Sequence, residues 1–224
     1  MTALSTEKSG SNEFEFEYGS AFAEHIEAFG PTFAKVLVRY NPEDDAALNR
    51  RQTARLKQLS DYCRAADQRF MFELLVPATK AQLDCVQRDK SNYDRHIRAE
   101  LMLQTICTLQ DAGVEPDVWK IEGLDRREDC ERVVETARRG GRDDVGCVVL
   151  GRGADEKKVV SWLETAASVP GFIGFAVGRR TFWEAVAAYE AHTSTRREAS
   201  ARVAQRFREW PTIFERARSV ISRN

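Results

Sequence analysis

Three charged side chains interrupt short apolar runs in this sequence, and each is of a type that does chemistry on carbonyl compounds. They are Lys35 in Lys35-Val-Leu-Val-Arg-Tyr40, Glu73 in Phe70-Met-Phe-Glu-Leu-Leu-Val76 and Lys120 in Val118-Trp-Lys-Ile121. Successive side chains on a strand face opposite ways, so parity sorts them. Lys35 and Arg39 share a face with Leu37, Glu73 with Met71 and Leu75, and Lys120 with Val118 and Glu122. An unpaired charge in such a run is costly to bury, so these groups are expected either to pair or to line a cleft that needs them. Desolvation and a neighbouring cation favour the neutral form of an amine, and the neutral form attacks a carbonyl carbon. On this reading Lys120 is the amine and Lys35 the second cation. Glu73 is the carboxyl that moves protons as a carbinolamine forms and a carbon–carbon bond breaks. Spacing alone leaves open the alternative of an internal Lys–Glu ion pair tying strands together.

Two glycine-arginine turns close later runs: Leu150-Gly-Arg-Gly-Ala-Asp155 and Val177-Gly-Arg-Arg-Thr181. Glycines at the C-terminal end of a strand let backbone N–H groups approach a phosphate, the following helix N-terminus favours the anion, and arginine supplies a forked partner. Gly151, Arg152, Gly153, Gly178 and Arg179 are therefore the candidate phosphate contacts. Arg39 and Glu122 are further candidates for substrate, Glu122 either steering it or pairing with Arg152.

The elements that must position these groups follow from the rhythm of the chain. Short apolar runs over 35–40, 70–76, 118–121, 145–150 and 172–177 are rich in β-branched and aromatic residues and closed by Gly, Pro or Asn, as buried strands are. Helical patterns over 44–67, 94–112, 126–139, 155–167 and 181–191 separate them, with Asp44 and Asp155 as expected N-caps and Gly113 and Gly140 at helix ends. Strand-helix-strand spacing of this length implies right-handed βαβ crossovers and a parallel sheet. A helical stretch over 195–222, interrupted at Pro211, is expected to pack on the domain's own surface. Residues 13–18 form a possible sixth strand and 20–29 a helix, while the polar residues 1–12 read as a disordered lead. The remainder, 13–224, reads as one (β/α)-barrel-like domain.

Composition narrows the partners. The 224 residues are 42% hydrophobic, and 34 Lys plus Arg stand against 35 Asp plus Glu, a balance with no footprint for nucleic acid or an anionic membrane surface. No run approaches the ~20 apolar residues of a membrane span, so a cytoplasmic protein with a small-molecule partner is expected. Cys63, Cys85, Cys107, Cys130 and Cys147 form no C-x-x-C pair and have no histidine at zinc-ligand spacing, so they read as reduced thiols and no metal or cofactor is expected. His25 and His192 lie in polar helical or loop contexts and His96 is expected to begin a helix, and all three read as surface or capping residues.

Asp117-Val-Trp-Lys-Ile-Glu-Gly-Leu124, Val148-Val-Leu-Gly-Arg-Gly-Ala-Asp155 and Gly171-Phe-Ile-Gly-Phe-Ala-Val-Gly-Arg179, with Phe72-Glu-Leu-Leu-Val-Pro77 upstream, together carry a family likeness. From about Lys35 to Trp183 the chain resembles the aldolase-type domain fused behind bacterial 5-dehydro-2-deoxygluconokinase in inositol breakdown, or standing alone as 2-deoxy-5-keto-gluconate 6-phosphate aldolase. That domain is similar in turn to the class I tagatose-1,6-bisphosphate aldolases. The resemblance implies a parallel (β/α) TIM-barrel-like fold with Lys120 as the imine-forming amine, Glu73 as acid/base and Lys35 as auxiliary cation. It places Gly151, Arg152, Gly178 and Arg179 around a phosphate. The implied reaction cleaves 2-deoxy-5-keto-gluconate 6-phosphate to dihydroxyacetone phosphate and malonate semialdehyde, with the protonated imine as electron sink.

Members of that family begin with further βα units, including a strand with an Asp-His-Arg type motif, so the chain reads as N-terminally shortened. Five or six strands against the eight of a closed barrel leave sheet edges to cover, and a homo-oligomer is expected. The alternatives from other classes are a catalytically degenerate sugar-phosphate-binding or regulatory barrel, and a part completed by another chain.

Overall fold

Strands and helices alternate along the chain as the sequence rhythm predicts. The computed structural model describes residues 1–151, 153 and 155–221, without the side chains at 220 and 221. In order they form β1 (Ala3–Ser5), α1 (Phe22–Phe29), β2 (Phe33–Arg39), α2 (Ala46–Ala65), β3 (Phe70–Leu75), α3 (Lys80–Cys85), α4 (Lys90–His96) and α5 (Arg98–Asp111). There follow β4 (Val118–Glu122), α6 (Arg127–Arg138), β5 (Gly146–Leu150), α7 (Glu156–Ala167), β6 (Phe172–Ala176), α8 (Arg179–Glu190) and α9 (Arg196–Ile221). The strands lie in one sheet in the order β1-β2-β3-β4-β5-β6. Sequential order with helical crossovers is the arrangement of a (β/α) barrel sheet.

The chain divides into two compact units, Met1–Ile121 with Arg132–Cys147, and Glu122–Glu131 with the chain from Val148 onward. In the first unit β1 to β4 pair in parallel. One face of this sheet, carrying Ala34, Val36, Val38, Phe70, Phe72, Leu74, Trp119 and Ile121, is fully buried. Helix residues Leu56, Leu59, Met102, Ile106 and Leu109 are equally buried and complete the apolar layer. On the other face Lys35, Leu37, Met71 and Lys120 are half-buried, while Glu73 and Val118 between them are buried. That asymmetry leaves room for chemistry on one side of a rigid scaffold.

Several expectations are corrected. Residues 3–5 are not part of a disordered lead but form β1, paired with Phe33 to Lys35. The ordering comes from backbone and threonine hydrogen bonds, which composition does not register. Thr2 and Thr32 exchange N–H to Oγ1 bonds at 3.0 and 3.2 Å, and Thr6 N donates to Lys35 O at 2.9 Å. Residues 13–18 form no strand. Phe14 and Phe16 join Phe22 in an aromatic cluster with ring centroids 5.1 and 4.1 Å apart, and Glu13 is tied to Arg51 and Arg55. The predicted helix 94–112 is two, broken at Ile97, whose φ of −121° departs from helical geometry. His96 ends α4 rather than beginning a helix.

Caps account for the helix starts. Asp45 rather than Asp44 caps α2, accepting from Ala47 N and Leu48 N at 2.7 and 3.2 Å, because Asp44 accepts from Asp45 N instead. Asp155 caps α7 as expected, accepting from Lys158 N at 2.9 Å. In the second unit α9 runs through Pro211 rather than stopping there. Trp210 and Phe214, on either side of the proline, are 2% and 5% exposed, so burial of this stripe offsets the hydrogen bond that proline cannot donate.

Candidate active site

Lys35, Glu73 and Lys120 come together on the half-buried face of the first unit's sheet, and the register is the reason. Leu37 on β2, Glu73 on β3 and Lys120 on β4 are level partners, and level partners in a parallel sheet point to the same side. Glu73 Oε2 accepts from Lys120 Nζ at 2.8 Å and lies 3.5 Å from Lys35 Nζ. Both lysines therefore approach the same carboxylate oxygen.

Lys35 Nζ also donates to Glu7 Oε1 at 2.6 Å. Glu7 follows β1, and its backbone bridges Phe16. The result is a row, Glu7, Lys35, Glu73, Lys120, in which signs alternate and formal charges cancel. Side-chain exposures are 15% for Glu7 and Lys35, 7% for Glu73 and 16% for Lys120. Groups this enclosed interact through a lower dielectric than water provides, which strengthens both their attraction and the penalty for removing one of them.

Such a row can move a proton from an ammonium to a carboxylate over one hydrogen bond. The amine so released can attack a carbonyl, and the second ammonium stays beside the carboxylate to hold developing negative charge. Sequence reasoning found three of the four groups. It missed Glu7, because a single carboxylate in a polar N-terminal segment shows no periodicity; only its place two residues after the short Ala3–Ser5 strand could have marked it.

Arg39, the last residue of β2, shares the lysine face but lies nearer the strand's C-terminal end, where its Nη1 donates to Ser11 O at 3.3 Å. Glu122, two residues beyond Lys120 on β4, is 2% exposed.

The glycine-arginine turns lie in the second unit. Gly151 N donates to Ala176 O at 3.2 Å, so this N–H is engaged between β5 and β6 rather than free for an anion. Gly153 has φ +70°, which favours glycine, and Gly178 is the N-cap residue of α8. Arg179 opens α8 and is exposed. Arg152 lies outside the described residues.

Gly123 was passed over in the sequence. Its missing side chain lets Trp162 of α7 lie against the backbone: a Cβ there would be 2.2 Å from the indole Cδ2. Trp162 Nε1 donates to Asp125 Oδ1 at 2.7 Å, and Lys158 Nζ lies 2.6 Å from the same oxygen. Asp125 thus fixes the indole over the stretch that follows β4.

Among the described residues, no helix is long and apolar enough to cross a membrane, and no group of three or more His, Cys, Asp or Glu side chains is placed to hold a metal ion.

The fold is TIM-barrel-like, with six strands alternating with helices in one sequentially ordered sheet. Fructose-bisphosphate aldolase from Plasmodium falciparum, in a ternary complex with TRAP and a small-molecule inhibitor, matches with a TM-score of 0.61 and 16% identity over 91% of this chain and 65% of that one. Cgl0159 from Corynebacterium glutamicum gives 0.57 and 17% over 91% and 62%. A Schiff base forming fructose-1,6-bisphosphate aldolase gives 0.55 and 14% over 84% and 61%. The chain spans less than two thirds of the length of each, and at these identities the likeness establishes the fold alone. No curated protein matches the sequence. The chain belongs to the family described as "Uncharacterized protein conserved in bacteria (DUF2090)", which matches residues 2–218.

Proposed function

We propose that this chain carries the site of a Schiff-base aldolase, an aldehyde-lyase acting on a phosphorylated keto sugar acid, with Lys120 as the amine. The observation that carries the reading is the 2.8 Å hydrogen bond between Lys120 Nζ and Glu73 Oε2, with Lys35 3.5 Å from the same oxygen. Glu73 takes a proton from the Lys120 ammonium, and the free amine adds to the substrate ketone to give a carbinolamine. Glu73 returns the proton to the carbinolamine hydroxyl, water leaves, and a protonated imine remains. That cation then draws in the electron pair of the bond between its α and β carbons as that bond breaks, giving an enamine. The hydroxyl proton on the departing fragment passes to Glu73, the fragment leaves as an aldehyde, and the enamine is protonated and hydrolysed to free the amine. Lys35 holds negative charge on Glu73 between these transfers.

The finer reading takes 2-deoxy-5-keto-gluconate 6-phosphate as substrate, in inositol breakdown, with dihydroxyacetone phosphate and malonate semialdehyde as products. Gly151, Arg152, Gly153, Gly178 and Arg179 would take the phosphate, with the assembly a cytoplasmic homo-oligomer. Borohydride reduction in the presence of dihydroxyacetone phosphate tests the chemistry. The expected result is a reduced adduct on the peptide containing Lys120, absent from Lys120→Ala; no adduct, or one on Lys35, overturns it.

A second reading has a specific observation in its favour. Each amine of the row already has a carboxylate within 2.8 Å, which is also what an internal ion-pair network requires. A sugar-phosphate-binding or regulatory barrel of this kind would gain thermal stability from dihydroxyacetone phosphate while giving no borohydride adduct.

A further inference from the structure

Beside the lysine row the first unit holds a second feature, a partly open polar cavity of about 210 Å³ lined by residues 7–14, Leu37 and Arg39. It sits where the loop after β1 meets the C-terminal end of β2, the end at which ligands bind in parallel α/β sheets. The loop is fixed. Lys8 N donates to Glu15 O at 2.8 Å and Glu17 N to Thr6 O at 3.0 Å, while Ser11 Oγ donates to Glu13 O at 2.6 Å. Phe14 N donates to Gln52 Oε1 at 2.8 Å, anchoring the far side to α2.

The charges around this cavity are unequal. Glu7 is spent on Lys35, and Glu13 on Arg51 and Arg55. Arg39 is different: among the described residues its guanidinium has no carboxylate partner, only the Ser11 carbonyl at 3.3 Å. Glu7 keeps one buried oxygen, Oε2, with no donor among the described residues. The cavity thus presents a forked cation with no carboxylate partner and a buried acceptor with no donor among the described residues.

We infer that this cavity receives the hydroxy-carboxylate end of the substrate, with Arg39 binding the carboxylate and Glu7 accepting from a hydroxyl. The inference deepens the aldolase reading and rests on it. Arg39 is two residues beyond the level of Leu37, Glu73 and Lys120, and two strands from Lys120. With ~3.3 Å per residue and ~4.8 Å between strands, the two Cα atoms stand about 12 Å apart. Both side chains are long and belong to the same face of the sheet, so a short carbon chain can bridge the remaining gap from the imine carbon to its acidic end. Glu7 and Glu13 are already paired, so the lining offers one guanidinium without a carboxylate partner, a forked donor that matches a single carboxylate.

The test is binding of 3-hydroxypropanoate to the full chain, followed by NMR, with 1,3-propanediol as its uncharged counterpart and glycerol 3-phosphate as a phosphate of similar size. Wild type is expected to bind the acid and not the diol. Arg39→Ala should weaken the acid at least tenfold and Arg39→Lys less, both variants keeping the wild-type unfolding temperature. Equal affinity in wild type and Arg39→Ala overturns the assignment, as does Arg39-dependent binding of glycerol 3-phosphate tighter than that of the acid. Borohydride trapping separates the two readings. A chain that forms the Lys120 adduct but binds no acid through Arg39 defeats the cavity and leaves the aldolase. A chain that binds the acid through Arg39 and never forms the adduct defeats the aldolase, and with it the role of this cavity as a substrate subsite.

Discussion

Glu73 and Lys120 are level partners on adjacent parallel strands, and their side chains meet at 2.8 Å on the half-buried face of the sheet. Replacing Lys120 alone leaves Glu73 with the longer contact to Lys35 at 3.5 Å. Replacing Glu73 alone strands Lys120 and leaves Lys35 with Glu7. Each single change, Lys120→Met or Glu73→Leu, is expected to cost about 2–4 kcal/mol, because an enclosed charge loses its counter-charge. The double variant should recover much of this, with a coupling energy of about 1–3 kcal/mol from urea unfolding of all four proteins. A coupling near zero would mean that the hydrogen bond does not form in solution.

The N-terminal loop should loosen in acid. Hydrogen bonds from Arg51 and then Arg55 lower the Glu13 pKa from 4.5 to about 2. A folded-state pKa below the unfolded one gives stability that is present above pH ~4.5 and lost as pH falls through about 2, because the unfolded chain takes up the proton first. Glu13→Gln should flatten the acid limb of the stability curve between these values, with a difference from wild type that stays constant from pH 6 to 7. Thermal unfolding across pH 2 to 7 checks it; an unchanged limb would remove Glu13 as the cause.

What the sequence made legible was periodic, and what it hid was not. Alternation at two-residue spacing placed Lys35, Glu73 and Lys120 on one face, and the register of β2 to β4 brings them together. Asp155 at the start of α7 was equally readable, since a cap is a local signal. β1 was not, because three residues against the edge of β2 owe their order to bonds from Thr2, Thr6 and Thr32, which leave no pattern in composition. Glu7 was lost with it. Gly123 carried no signal of its own, because its reason is Trp162, a contact that one-dimensional spacing does not encode.

Gly123 is also where a single methyl group should be felt. A Cβ at this position would stand 2.2 Å from Cδ2 and 2.3 Å from Cγ of Trp162, in the middle of a ring held by Asp125. The indole cannot yield by rotating a flexible end, so ring or backbone must shift. Gly123→Ala is expected to cost about 1–3 kcal/mol, the usual range for overpacking. Trp162→Ala in the same chain should remove that extra cost, so the glycine effect measured in the Trp162→Ala background falls towards zero. An effect of equal size in both backgrounds would place the strain elsewhere.

The cysteines should divide by burial. Burial pushes the Cys147 thiol from 9.0 up to about 12 against a smaller opposing effect of Arg138. Cys63 is pushed to about 12 as well, by burial first and then by Asp117, whereas Cys85 is exposed. Iodoacetamide at pH 8 is therefore expected to modify Cys85 rapidly and Cys63 and Cys147 only on unfolding, since the thiolate is the reactive form. The same shifts set a limit at high pH. Between pH ~9 and ~12 the unfolded chain has released protons that the folded chain keeps, so each buried thiol lowers stability by up to about 1.4 kcal/mol per pH unit across that window. Lysines and tyrosines titrate there too, so the informative quantity is a difference. The stability of Cys147→Ala relative to wild type should rise steadily from pH 9 to 11, and a constant difference would show that the thiol ionises no later in the folded chain than in the unfolded one.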